Sequence, residues 1–399
     1  MTGEGGGEER ETFPSMPSNP AVGGAQGFRQ PNKTFLRKES FGVLRIKNRT
    51  ELLKGMYSKK NLPPQPPSMG TLREIAADVQ RASEFHDSGA NTSAFPGSNV
   101  PSMKSFEPLS WDGYFDEKRV VRVAETGMDF NVYLAGAPAA GEERPLLFCL
   151  HGGGYTGLTW SLVAKKLKSK YTVAAMDLRS HGESSDSDDF SIDAMTKDAT
   201  AVWTEVFGSA KPKTVVVGHS LGGAIAIGAC LSPEIRSLAG AVVIDVVEGT
   251  AMASLPYMKQ VVAKRPAEFA TIQDFVKWAY TSGQTKSFEA ARVSASSQVK
   301  VAEEDGGAMA RCVWRTDLMR TEPYWRGWYE GMSDRFLSVR VPKILVLAGT
   351  DRMDKALLTA NMQGKFQMKV LPAGHAIQED EAQKTCEEIE AFCERFRIV

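Results

Sequence analysis

The chain has 399 residues, 42% of them hydrophobic and 24% charged, with 48 basic residues balanced by 48 acidic ones. That composition is ordinary for a globular protein. It excludes a chain disordered throughout, a fibrous repeat and a polytopic membrane protein, and the zero net charge provides no global field to recruit nucleic acid.

Residues 1–104 are rich in Gly, Pro, Ser and Asn, with linker-like stretches at 61–68 and 88–99. Between Arg29 and Lys60 ten Lys/Arg face only Glu39 and Glu51. Such a run reads first as a solvated tail, and second as an import signal or an acidic-partner patch. Residues 70–86 carry apolar Leu72, Ile75, Ala76, Val79 and Ala82, the spacing of one short amphipathic helix. The leader is therefore expected to be mostly disordered with one short helix. It has an acidic start, no apolar targeting core and Thr at position 2, which argues against a secretory signal and myristoylation. No run of 18 apolar residues offers a membrane span. Five cysteines without a C-x-x-C pair fit idle thiols in a reducing compartment, so a cytoplasmic or nuclear protein is expected.

From about residue 105 the texture changes. An opening hairpin is predicted at Arg119–Glu125 and Met128–Ala135. Apolar runs follow at 145–150, 172–177, 214–218, 241–245, 343–348 and 367–371. The later runs are nearly continuous in Val, Ile and Leu, as in parallel strands buried on both faces. Helical patterns separate them near 160–168, 192–207, after Ser220 and at 379–396. Alternating β and α predicts a doubly wound α/β sheet. Residues 246–341 interrupt the alternation with no clear strand, helical patterns at 272–282 and 287–299, and an aromatic cluster around Trp314, Trp325 and Trp328. A segment this long is not expected to be bare loop and reads as a helical cap over the strand C-termini, where α/β sheets bind ligands. Each of those tryptophans is read as core ahead of interface.

Val215–Gly223 holds the pattern G-x-S-x-G: Gly218, His219, Ser220, Leu221, Gly222. It follows a valine run and opens a helical stretch, the context of a nucleophile elbow that presents a strained, exposed serine. Ser220 is the predicted nucleophile. Leu150-His-Gly-Gly-Gly154 directly after a strand reads as an oxyanion loop. One donor is expected from Gly153 or Gly154 and the other from Leu221, the residue after the nucleophile. Of the five histidines, His375 alone follows the last strand and precedes the last helix. It is the predicted general base, with His151 and His181 structural and His219 the elbow's variable position. For the acid, spacing leaves Asp351, after the strand at 343–348, slightly ahead of Asp245, after the strand at 241–245, with Glu248 third. Asp186, Asp188 and Asp189 read as a solvated acidic loop. No cofactor or metal is expected, because no dinucleotide, Walker or ligand-cluster pattern occurs.

From about Ser105 onward the chain resembles the eukaryotic protein phosphatase methylesterases. The stretches that carry this are His151-Gly-Gly-Gly, Asp177-Leu-Arg-Ser-His-Gly-Glu183, Gly218–Ala226, Ile244-Asp-Val-Val-Glu-Gly-Thr-Ala-Met252, Ala291-Arg-Val-Ser294, Tyr324-Trp-x-Gly-Trp328, Met362–Met368 and Gly374-His-Ala376. The resemblance implies an α/β-hydrolase fold over residues 105–399 with its cap at about 246–341. It implies a serine esterase acting on the C-terminal leucine methyl ester of the protein phosphatase 2A catalytic subunit, docked around the active-site mouth. It also moves the acid to Asp245. The long acidic loop that some members carry is reduced here to Glu303-Glu-Asp-Gly-Gly307. Two other readings stay open: a general small-ester carboxylesterase, and a phosphatase-binding regulator without catalysis. A monomer with no nucleic-acid or membrane partner is expected.

Overall fold

The computed structural model describes residues 103–302, 311–349 and 354–398. The predicted leader helix at 70–86, the basic run before Lys60, Glu303–Gly307 and Asp351 lie outside the described residues.

Eight strands form the main sheet: β1 (Glu117–Val123), β2 (Met128–Ala135), β3 (Leu146–Leu150), β4 (Thr172–Met176), β5 (Thr214–His219), β6 (Leu238–Ile244), β10 (Lys343–Leu347) and β11 (Gln367–Val370). Their order is β1-β2-β4-β3-β5-β6-β10-β11. β2 pairs antiparallel with β1 and β4, and every pairing from β4 to β11 is parallel. No helix among the described residues is long and apolar enough to cross a membrane.

The apolar runs are continuous because both faces of the central strands are covered. Leu146, Phe148 and Leu150 of β3 point into one core, and Leu147 and Cys149 into the other. The first core is closed by helices Ile192–Phe207 and Leu221–Leu231 through Val202, Trp203 and Ile225. The second is closed by helices Ser161–Leu167 and Ala382–Arg395 through Val163, Ile389 and Phe392. Burying each such side chain contributes about 1.5–3 kcal/mol.

The segment between β6 and β10 divides into two parts. Helices Glu248–Ala263, Ile272–Thr281 and Phe288–Val293 surround a three-stranded sheet, β7 (Glu268–Phe269), β9 (Cys312–Trp314) and β8 (Val299–Val301). The residue pattern predicted helix as far as Val299 and no strand. The helix instead stops at Val293, a 3₁₀ turn follows, and the strands are two or three residues long, too short to show a period. Phe269, Phe275, Trp278 and Trp314 pack together with centroids 4.9–6.0 Å apart, edge to face except for the tilted Phe269–Trp278 and stacked Phe275–Trp278 pairs. The second part, helices Trp325–Tyr329 and Met332–Ser338, returns to the body, where Trp325 and Trp328 are buried in the main core.

Asp186 and Asp188 are not merely solvated. Both accept from Arg320, at 3.0 and 2.7 Å, while Tyr324 Oη donates to the Asp188 carbonyl. This acidic loop is a clasp between the body and the segment that leads out of the cap.

Candidate active site

β5 ends at His219, and Ser220 takes φ 52° and ψ −120° before helix Leu221–Leu231 begins. Positive φ strains a residue with a side chain, and the packing around the turn enforces it. A Cβ at Gly218 would overlap the Gly222 carbonyl, and one at Gly222 would overlap the carbonyls of Leu150 and His151. The Ser220 N–H donates to the Ile244 carbonyl at 2.9 Å, which ties the turn to the end of β6.

The next residue along β6 is Asp245, also at positive φ (51°). Its N–H donates to the Val346 carbonyl at 2.8 Å, and its Oδ1 accepts from the Ala348 N–H at 2.9 Å. The fully buried carboxylate is thereby fixed from both sides. Its Oδ2 lies 2.8 Å from His375 Nδ1, and His375 Nε2 lies 3.0 Å from Ser220 Oγ. With a carboxylate at Nδ1, that nitrogen carries the proton and Nε2 is left to accept from the serine. Ser220, His375 and Asp245 are thus joined in one line. Glu248 is committed elsewhere, accepting from the N–H groups of Gly331 and Ser333 at 2.8 and 2.9 Å.

Three other histidines surround this line. Burial pushes each down, His151 to about 4 and His181 and His219 to about 3, so all are neutral at physiological pH. His151 Nε2 accepts from the Leu178 N–H at 2.9 Å, which holds the glycine loop to the end of β4. His181 Nε2 accepts from the Gly154 N–H at 3.0 Å. Gly154, at φ 80°, therefore spends its donor on His181. Of the two glycines expected as oxyanion donors, Gly153 is the one whose N–H has no acceptor among the described residues. Gly153 faces the nucleophile's neighbour, since a Cβ there would lie 3.8 Å from Leu221 Cδ2.

His219 does more than occupy a variable position. Its Nε2 donates to the His375 carbonyl at 2.8 Å, and its ring lies 4.7 Å from the His375 ring and 5.4 Å from Tyr155. The His375 loop is held a second time by Asp380. One Asp380 oxygen accepts from the Gly374 N–H and the other from the Lys286 N–H of the cap, both at 2.7 Å. In the helix Trp325–Tyr329, burial raises the Tyr329 hydroxyl to about 12, and its interaction with Ser220 opposes that rise. The sequence placed His219 only as the elbow's variable position and Tyr329 only in the aromatic cluster of the cap, and no pattern marked Asp380.

No group of three or more metal-ligating side chains occurs among the described residues. A serine, an imidazole and a buried carboxylate in one line beside main-chain N–H groups suit acyl transfer.

Comparison with known proteins agrees. Residues 147–388 match the alpha/beta hydrolase family. A probable protein phosphatase methylesterase 1 from Caenorhabditis elegans is 42% identical over 301 residues, covering 74% of this chain and 79% of that protein. Protein phosphatase methylesterase 1 from Homo sapiens is 37% identical over 355 residues, covering 78% of this chain and 90% of that one. The chain belongs to the protein phosphatase methylesterase family. It is an esterase with the alpha/beta hydrolase fold. Solved structures share that fold at low identity. E-2-(acetamidomethylene)succinate hydrolase matches with a TM-score of 0.56 and 22% identity over 70% of this chain and 99% of its own. An esterase from M. tuberculosis matches with a TM-score of 0.53 and 20% identity over 80% of this chain and 97% of its own.

Proposed function

We propose that this esterase removes the methyl ester from the C-terminal leucine of the protein phosphatase 2A catalytic subunit, through an acyl-enzyme on Ser220. The observation that carries this reading is the contact line Ser220 Oγ to His375 Nε2 to Asp245 in a member of this family.

His375 Nε2 takes the Ser220 proton as Oγ bonds to the ester carbonyl carbon. The oxyanion sits on the N–H groups of Gly153 and Leu221, and losing one such donor costs about 3–4 kcal/mol of barrier. Asp245, buried against Nδ1, holds the tautomer and stabilises the imidazolium. The tetrahedral adduct collapses by breaking the bond to methoxide, which leaves as methanol with the proton from Nε2. Water then attacks the acyl-enzyme by the same route and frees the leucine carboxylate and the serine. Methanol is too small for a leaving-group pocket to select, so selectivity rests on the acyl side and on contacts remote from the chemistry. The cap, anchored by the Arg320 clasp and by Asp380, is the surface we assign to that docking.

The compartment that fits is the cytoplasm or nucleus. All five cysteines are buried and unpaired, as expected where thiols stay reduced.

The test is methanol release from carboxymethylated phosphatase 2A alongside hydrolysis of a small ester. Ser220→Ala should lower demethylation about a millionfold while retaining binding of the phosphatase. Undiminished demethylation by that variant rules the mechanism out. Rapid small-ester turnover without demethylation by the unaltered protein supports the small-ester carboxylesterase instead.

A further inference from the structure

Arg265 follows the cap helix Glu248–Ala263, with its N–H donating to the Val262 carbonyl at 3.1 Å. Its guanidinium lies 5.0 Å over the Trp314 ring, and Trp314 is itself fixed by an Nε1 hydrogen bond of 2.8 Å to the Pro266 carbonyl. No carboxylate, carbonyl or hydroxyl among the described residues accepts a hydrogen bond from this half-buried cation. Burial accordingly holds it below the usual arginine range, and the Tyr155 phenol opposes that shift.

Every other arginine between 248 and 338 has an acceptor. Arg311 pairs with Glu268, Arg320 with Asp186 and Asp188, and Arg326 with Glu330. Arg292, Arg315 and Arg335 donate to main-chain carbonyls. Leaving a partly desolvated guanidinium without an acceptor is costly, so the position needs a reason beyond folding.

Its location supplies one. The oxyanion loop runs from the nucleophile to this cation. A Cβ at Gly152 would lie 3.1 Å from the Ser220 Cβ, and one at Gly154 would lie 3.3 Å from Arg265 Nη1. Two residues span at most about 7 Å, so the guanidinium is within about 13 Å of the Ser220 Cβ. An extended peptide advances about 3.3 Å per residue, and an acidic side chain adds a few ångströms of reach. A peptide acylating Ser220 through its C-terminus would bring an acidic side chain two or three residues upstream to Arg265.

We infer that Arg265 is a specificity-determining residue that receives a carboxylate side chain of the acyl-side peptide, two or three residues before the esterified C-terminus. The inference rests on the proposed peptide methylesterase activity. A charge-assisted pair in a partly exposed site corresponds to about a tenfold preference for the acidic peptide.

The experiment uses the full chain and short peptide methyl esters ending in leucine, identical except for Asp, Asn or Lys at the second or third residue before it. The unaltered esterase should favour the Asp peptide over the Asn peptide about tenfold in kcat/KM. Arg265→Gln should abolish that ratio, and Arg265→Glu should turn it toward the Lys peptide. Calorimetric binding of the same peptides to Ser220→Ala, with and without Arg265→Gln, reads the preference without turnover. Thermal melting separates specificity from packing, because removing an unpaired cation should leave Tm at or above that of the unaltered chain. An equal Asp-to-Asn ratio with and without Arg265, in turnover and in binding, overturns the assignment. Asp-selective binding that requires Arg265, with no peptide ester hydrolysed, overturns the esterase reading and upholds the assignment.

Discussion

The His219 imidazole donates to the main-chain carbonyl of His375 at 2.8 Å. The residue next to Ser220 therefore holds the loop that carries His375. Being neutral, His219 keeps one proton on Nε2 for this bond, and its Nδ1 is buried without a partner. Removing the donor loosens the base relative to Ser220, and a misplacement near 1 Å can cost about a hundredfold. His219→Ala should lower kcat about ten- to a hundredfold with KM little changed. His219→Gln, whose amide can still donate, should recover part of the loss. Steady-state kinetics of the three proteins checks this, and equal kcat values would remove His219 from the positioning machinery.

Asp245 and Asp351 are the two sequence candidates for the acid, and substitution separates them. Asp245 reaches Nδ1 at 2.8 Å from a site fixed by two main-chain bonds. Asp245→Asn should lower kcat about ten-thousandfold by imposing the wrong tautomer. If Asp245 supplies the acid, Asp351→Asn should change kcat/KM by no more than about twofold. Parallel assays of the two variants decide the acid, and the opposite ranking would transfer the role to Asp351.

Glu379 stands four residues beyond His375, fully buried, and accepts from Thr159 Oγ1 at 2.6 Å and from Ser294 Oγ of the cap. Burial pushes its carboxyl from 4.5 up to about 7, against the pull of those hydroxyls. Below about pH 4.5 it is protonated folded and unfolded. Between 4.5 and 7 the unfolded chain releases the proton while the folded one keeps it, so its contribution to stability falls as pH rises. Above 7 the full penalty, about 3 kcal/mol, remains. Glu379→Gln keeps an acceptor for both hydroxyls and removes the charge. Its Tm should exceed that of the unaltered chain at pH 8 by roughly 5–10 °C, with the two values largely converging at pH 5. Melting curves at both pH values test this; no gain at pH 8 would mean that Glu379 is ionised without cost.

Much of this architecture was readable because its causes are local. Met128–Ala135 and Ile192–Phe207 carry boundaries that the residue pattern alone predicts. The parallel strands announce themselves because Leu146–Leu150 and Thr214–Val217 must be apolar on both faces. The elbow was readable because its glycines answer to close contacts with Gly222, Leu150 and His151. What was not readable depends on pairing across the chain. The cap strands are too short for a period, and Val299–Val301 finds Cys312–Trp314 only in three dimensions. The preference for Asp245 needed a resemblance, since spacing ranked Asp351 first. His219 and Asp380 act through main-chain groups of a distant loop, and neither carries a local signature.

The five thiols are divided among three packed regions: Cys149 on β3 shares one core with Cys386 and Cys393 of the last helix, Cys230 in the helix after the elbow lies in the other core, and Cys312 lies in the cap sheet. None can be alkylated while its region stays closed. Each region thus carries its own internal clock. A labelling pulse read peptide by peptide would report the order in which the cap and the two cores open, with no foreign probe attached.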